Sequence, residues 1–275
     1  MPELFGSEAF SPRQIAAKVE SVGVVKARLP FFTMLMLGML AGVFIGIGSM
    51  FYIIVKSDAS LSFAISGLLG GIAFSLGLFI VIIAGAELFT GNNLLIMAWA
   101  YRRITTRELL RNWGVVFTGN LLGAVSFALV VYLSGHTAMN DGAIAEKYLS
   151  IAAAKEALPF WQAFLRGVLC NVLVCLAVWM ATAGRTVTDK AIAIVMPIAA
   201  FVAAGFEHSV ANLYFFPMAA FIQWFGGGDV TAVTWGGVLG NLVPVILGNI
   251  VGGGVLVGLV YYLVYLRRPF RELPE

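Results

Sequence analysis

The sequence predicts an all-α membrane protein of six transmembrane helices in two inverted three-helix repeats, with the second and fifth helices broken at mid-membrane. Three observations carry this expectation. The 275 residues are 60% hydrophobic and 11% charged, with a mean hydropathy of +0.95, whereas roughly a quarter of a soluble domain is charged. Six stretches are apolar enough to form spans, which take about twenty helical residues each. Two of those stretches carry related polar segments at matching places.

Ahead of the first span, Ser11 and Pro12 suit an N-cap and first helical residue, and Ile15, Val19 and Val22 form an apolar stripe beside Arg13, Lys18 and Lys26. Region 1–30 therefore reads as a short amphipathic helix. It either lies on the inner membrane surface or packs on cytoplasmic loops of its own or a neighbouring subunit. The pore region, 31–266, follows, with spans at 31–55, 64–98, 112–134, 160–182, 190–224 and 238–266, and 267–275 forms a tail. Its two copies occupy 31–134 and 160–266. The first span repeats Gly38, Gly42 and Gly46 every fourth residue, and Gly248, Gly252, Gly254 and Gly258 crowd the sixth. Such small faces permit close helix approach, within a subunit or between subunits. Cys170 and Cys175, five apart in an apolar run, have neither zinc nor redox spacing and read as small core residues. The N-terminus lacks the basic-then-apolar pattern of a signal peptide, so the first span is expected to act as its own insertion signal.

Lys and Arg mark the cytoplasmic side. Arg13, Lys18, Lys26, Arg28, Arg102, Arg103, Arg107, Arg111, Arg185, Lys190, Arg267, Arg268 and Arg271 fall on one side; Lys56, Lys147 and Lys155 fall on the other, with Arg166 just inside the fourth span. Both termini are therefore expected to be cytoplasmic, as an even number of spans requires. The six Trp residues fall near predicted span ends, where an interfacial belt would place them.

A shift of 120 superposes AGAELFTGNNLL (84–95) on AGFEHSVANLYF (204–215), matching Gly85 with Gly205, Glu87 with Glu207 and Asn92 with Asn212. A shift of 129 places GNLLG (119–123) on GNIVG (248–252) and Gly38 on Gly167. Three spans per copy is odd, so the copies insert in opposite directions, and the paired interrupted spans point to a transport site. GAELFTGNN is too polar and too poor in helix formers to run straight through hydrocarbon.

At these segments the chain resembles the formate/nitrite transporter family. The likeness runs from GVFIGI through GGIAFSLGL, GAELFTG, CNVLVCLAVWM and GFEHSVAN to NLVPVILGNIVGGGVLVGL, and AFVAAGFEHSVAN, NLVPVILGN and VYYLVYLRR resemble its formate-channel branch. AGAELFTG resembles nitrite channels equally well. The resemblance implies an aquaporin-like protomer, a homopentamer with one pore per protomer, and a multi-pass protein of a bacterial cytoplasmic (inner) membrane. Formate is the implied substrate, with nitrite or hydrosulfide as the alternative. It further implies His208 as the central residue facing Thr90, constrictions at Phe74 and Phe201 on the periplasmic side, and constrictions at Leu78 and Leu88 or Phe89 on the cytoplasmic side. Asn171 and Asn241 match polar pore positions, and Lys155 matches a basic residue of the outer vestibule. Where formate channels of the family carry Ser after the Thr of the loop, this chain has Gly91, followed by Asn92 and Asn93.

His208 is the only His within a predicted span, and an intramembrane ionisable group is a functional candidate by default. On its own it could equally be a neutral core His; the repeat, which sets it opposite Glu87, Leu88 and Thr90, favours function. Glu87 and Glu207, with Asn92 and Asn212, are expected to fasten the helix breaks, the carboxylates by holding freed backbone N–H groups. A bare carboxylate in a dry constriction carries an idealised cost of order 20 kcal/mol. Taking a proton at pH 7 costs formate only about 4 kcal/mol, because its acidity is near that of Asp. Hence the expected mechanism is collection of the anion by Lys155 and helix termini, then a hydrogen bond or proton from His208. The sequence shows no metal cluster, phosphate loop or nucleophile with a base partner, which argues against an enzyme and predicts no cofactor. The +3 charge is explained by the cytoplasmic loops and gives no reason to expect nucleic-acid binding.

Overall fold

The computed structural model of the protein describes residues 9–226 and 233–267. Residues 1–8 of the expected N-terminal region, and 268–275 of the tail with Arg268 and Arg271, lie outside the described residues. Among the described residues all regular structure is helical.

Helix α1 (Pro12–Ala27) begins with Ser11 and Gln14 in a reciprocal capping box. Its stripe does not face lipid. Ile15, Ala16 and Val19 are buried against Leu94, Met97, Cys175, Trp179 and Val257, so α1 packs on other helical segments of the same chain while Val22 and Val25 remain 42% and 66% exposed. Among the described residues, five helices are long and apolar enough to cross a membrane: α2 (Phe31–Lys56), α3 (Phe63–Ala84), α5 (Thr106–Leu133), α7 (Phe160–Ala183) and the run Trp235–Leu266. The last starts as α10 (Trp235–Asn249) and continues with the wider i→i+5 hydrogen-bond pitch. Between α3 and α5 lie a 3₁₀ turn, Gly91–Leu95, and the one-turn helix α4 (Ile96–Ala100). Helices α8 (Val187–Ala203) and α9 (Ser209–Phe225) have 17 residues each.

Two boundaries differ from the sequence expectation. Helix α5 begins at Thr106 and not near 112, because Thr105 and Glu108 form a capping box that carries the helix past the charged turn where an apolar window stops. Helix α6 (Ala143–Glu156) was not anticipated between spans. It is short and polar outside, yet Ile144, Tyr148 and Ala152, one turn apart, are buried.

Within the first half α2 packs on α5, and within the second α7 packs on α10; α3 on α8 and α5 on α9 join the halves. Both within-half contacts need bare backbone. A Cβ on Gly123 would run into the carbonyl of Met39, and one on Gly252 into that of Val168. Close approach of this kind replaces the hydrophobic effect as the source of helix association in lipid.

Candidate functional site

The site is built where α3 and α8 stop. Gly85 at φ +81° and Gly205 at φ +70° turn the chain out of each helix into a backbone region that suits only glycine without strain. Backbone groups freed there must find partners inside the protein. One Asn in each half supplies them. Asn120 donates through Nδ2 to the Gly38 carbonyl (2.8 Å) and the Glu87 carbonyl (2.9 Å), and its Oδ1 accepts from Phe89 N–H (2.9 Å). Asn249 donates to the Gly167 carbonyl (2.8 Å) and the Glu207 carbonyl (3.0 Å), and accepts from Ser209 N–H (2.9 Å).

A second layer surrounds the two carboxylates. Glu87 meets Lys26 Nζ of α1 at 3.0 Å and accepts from Asn92 Nδ2 at 2.7 Å, while Asn92 also donates to Asn112 Oδ1 at 3.0 Å. Glu207 meets Lys155 Nζ of α6 at 2.8 Å and accepts from Asn212 Nδ2 at 2.7 Å, while Asn212 also donates to Asn241 Oδ1 at 2.8 Å. Asn112 and Asn241 then donate to the carbonyls of Lys26 and Lys155, respectively. The backbone N–H of Glu87 donates to the Leu37 carbonyl, and that of Glu207 to the Arg166 carbonyl. The glutamates therefore do not hold freed N–H groups as expected. A buried carboxylate needs a cation, whereas an amide side chain can satisfy an N–H and a carbonyl together.

His208, 3% exposed, is the N-cap of α9, where its Nδ1 accepts from Ala211 N–H at 3.1 Å. An accepting Nδ1 carries no proton, so the neutral ring bears its proton on Nε2. That nitrogen lies 2.9 Å from Thr90 Oγ1 and is accordingly the donor. The Thr90 carbonyl is held by Asn171 Nδ2 (3.2 Å) and the Cys175 thiol (3.4 Å). Phe201 stacks on the imidazole with centroids 6.0 Å apart, and Phe74 meets both rings edge-on.

A cavity of about 190 Å³ opens beside this group, lined by Tyr52, Phe74, Lys155, Arg166, Phe201 and His208 among others. Another of about 280 Å³ lies on the α1 side, lined by Val22, Lys26, Leu78, Glu87, Leu88 and Asn92 among others. His208 and Leu88 thus occupy equivalent positions, one bordering each cavity.

The structure brings His208, Thr90, Phe74 and Phe201 into one group and sets Leu78 and Leu88 together on the α1-side cavity. Other expected pore residues are engaged by partners within the protein. Phe89 lines neither cavity; its backbone is held by Asn120, and its ring packs on Trp113 and Phe117. The amides of Asn171 and Asn241, both fully buried, are bound into the framework: Asn171 also reaches Asn93 and the Asn249 carbonyl. Lys155 is paired with Glu207 and does not present a free charge. Sequence reasoning missed Lys26, Asn112, Asn120 and Asn249 as parts of the site. The shift of 129 could have found them, since it maps Lys26 on Lys155, Asn112 on Asn241 and Asn120 on Asn249. Among the described residues no cluster of three His, Cys, Asp or Glu side chains could hold a metal ion.

A family model described as formate/nitrite transporter matches residues 13–263. The chain is similar to the formate channel FocA of Escherichia coli K12, with 41% identity over 269 residues, 93% of this chain and 94% of that protein. It is similar also to FocA of Haemophilus influenzae, with 38% identity over 265 residues, 92% of this chain and 93% of that one. Among solved structures, one described as a pentameric formate channel with formate bound superposes with a TM-score of 0.81 at 39% identity, covering 86% of this chain and 98% of that chain.

Proposed function

Because this chain belongs to the formate/nitrite transporter family, we propose that it conducts formate across a cytoplasmic membrane through a pore within each protomer of a homopentamer. The pore runs from the Lys155-side cavity past His208 to the α1-side cavity. Four crossings are continuous helices, α2, α5, α7 and the run Trp235–Leu266. The second crossing, α3 with α4, is interrupted at 85–90, and the fifth, α8 with α9, at 204–208. The chain then crosses six times in two inverted halves, with both ends and the α1-side cavity facing the cytoplasm, as the Lys and Arg distribution supports. The N-terminal region and the tail are cytoplasmic, and the pore domain occupies 31–266.

The observation that carries this reading is the tautomer of His208. With Nδ1 committed to Ala211 N–H, the ring presents an N–H donor to the pore beside Thr90. A neutral imidazole does not yield that proton to a carboxylate, because the product would be an imidazolate. To act as an acid the ring would first have to take a proton at Nδ1 and give up the helix cap. His208 is therefore a hydrogen-bond donor to the passing molecule, and Thr90, whose own hydroxyl proton is free, is the exchange partner. Formate takes its proton from vestibule water at a cost of about 4 kcal/mol at pH 7, well below the cost of carrying bare charge between Phe74, Phe201, Leu78 and Leu88. Glu87, Glu207, Asn92 and Asn212 hold the breaks that shape this path.

Flux of formate, nitrite and hydrosulfide into proteoliposomes at pH 5 and pH 7, with voltage and internal pH recorded together, tests the reading. Formate uptake with internal acidification and little current is expected. A large voltage-dependent current without proton movement would replace neutral passage by anion conduction, and absence of flux would remove the transport reading.

A further inference from the structure

The two cavities differ in charge. The α1-side cavity has Lys26 and Glu87 in its wall, paired at 3.0 Å, so its lining is neutral. The other has Lys155, Glu207 and Arg166. Lys155 and Glu207 cancel at 2.8 Å, which leaves one positive charge in excess. That charge belongs to Arg166, half-buried on α7. Among the described residues its guanidinium makes no hydrogen bond or ion pair. The equivalent position in the first half is Leu37, whose carbonyl, like that of Arg166, accepts the N–H of the following glutamate at the break. The backbone role is thus met without a charged side chain, and the guanidinium is an addition confined to one half.

An arginine in a membrane-crossing helix ordinarily pairs, snorkels to the interface or serves a transport path. Arg166 lines the same cavity as His208 and lacks a protein counter-ion. We propose that Arg166 is the capture site for the anion in this cavity and selects for planar anions with two oxygens on one centre. The guanidinium offers parallel N–H donors at a spacing that matches a carboxylate, as an ammonium does not. Formate and nitrite present two such oxygens; hydrosulfide, with one sulfur, does not. Lys155 is in this account a positioning residue that holds Glu207, and Arg166 is the group that touches the entering ion. The inference rests on the transport reading and adds which face has the higher affinity, and for which shape of anion.

The test records initial flux against concentration in right-side-out and inside-out membrane vesicles carrying the full-length chain. Arg166→Gln is expected to raise the half-saturating formate concentration at the Lys155 face by about tenfold, the effect of losing one charge-assisted hydrogen bond. The maximal rate is not expected to fall, and the shift from the α1 face should be smaller. Arg166→Lys keeps the charge but loses the fork, so half-saturation should rise for formate and nitrite and stay at the wild-type value for hydrosulfide. Unchanged half-saturation in both variants, or a lower maximal rate at unchanged half-saturation, would overturn the proposal and make Arg166 a lipid-facing or intersubunit residue. Should Arg166→Gln fail to assemble, the wild-type chain still decides. Formate, and not chloride, should protect it from inactivation by phenylglyoxal added at the Lys155 face, and Arg166→Lys should be insensitive to the reagent; lack of protection would overturn the proposal. Absence of formate flux in the wild-type chain would overturn the transport reading and this inference with it, an outcome distinct from wild-type flux that Arg166→Gln leaves unchanged.

Discussion

In the first half Glu87 pairs with Lys26 and Asn92 while Asn120 bridges two carbonyls and an N–H; in the second half Glu207, Lys155, Asn212 and Asn249 repeat each of those bonds. Distances between corresponding atoms agree closely: 3.0 against 2.8 Å for the ion pairs and 2.8 Å for both Asn-to-Gly bonds. Beyond these ion pairs, the groups beside the cavities do not all repeat. Leu88 corresponds to His208, Leu37 to Arg166, and a 3₁₀ turn from Gly91 to an α-helix from Ser209. Every helix break in lipid must have its backbone satisfied, so the framework is needed twice. In the proposed pore a polar group between apolar side chains is needed once, and a second would require its own buried partners.

Four predictions would break or sharpen this comparison. Gly123→Val and Gly252→Val should both abolish the folded assembly, since each new side chain meets a backbone carbonyl that cannot retreat; size-exclusion chromatography in detergent reads the outcome. A folded assembly surviving in either variant would mean that close helix approach is not equally required in the two halves. His208→Leu, which makes the second half copy Leu88, should lower formate flux about 100-fold, the effect of losing one preorganised hydrogen-bond donor, while the folded protein persists. Flux and pH dependence equal to wild type would remove His208 from the path.

Asn120→Ala and Asn249→Ala each delete three buried hydrogen bonds and should each cost about 3 kcal/mol, read as loss of thermal stability in detergent. Unequal losses would show that one break is held mainly by other groups. The smallest expected effect belongs to one of the two lysines. Lys155→Met strands Glu207 beside a side chain 14% exposed and should cost about 3 kcal/mol. Lys26→Met, where the lysine is 29% exposed, should cost about 1 kcal/mol. Equal losses would mean that α1 is bound as firmly as α6.

Much of this was legible in the chain before folding. The length of apolar runs, the polar interruption of two of them and the pairing of Gly85 with Gly205 at a shift of 120 were read from short segments, where what hydrocarbon allows a backbone to do acts locally. His208, Thr90, Phe74 and Phe201, which the family resemblance implied, lie together. Helix α6 was not legible in the same way, because a 14-residue helix between spans carries no membrane-length signal.

The sequence by itself determined the helical class, the places where helices stop and the residue types available at those stops, because hydrophobic length and glycine conformation are properties of short segments. Only the tertiary structure decided how those residues pair. It turned Phe89 toward α5, spent Asn171 and Asn241 on the framework, brought Lys26 from α1 to Glu87, and paired Lys155 while leaving Arg166 open to a cavity. Those outcomes depend on which oppositely charged or hydrogen-bonding groups arrive within about 3 Å of each other, and residues from 29 to 118 positions apart met there.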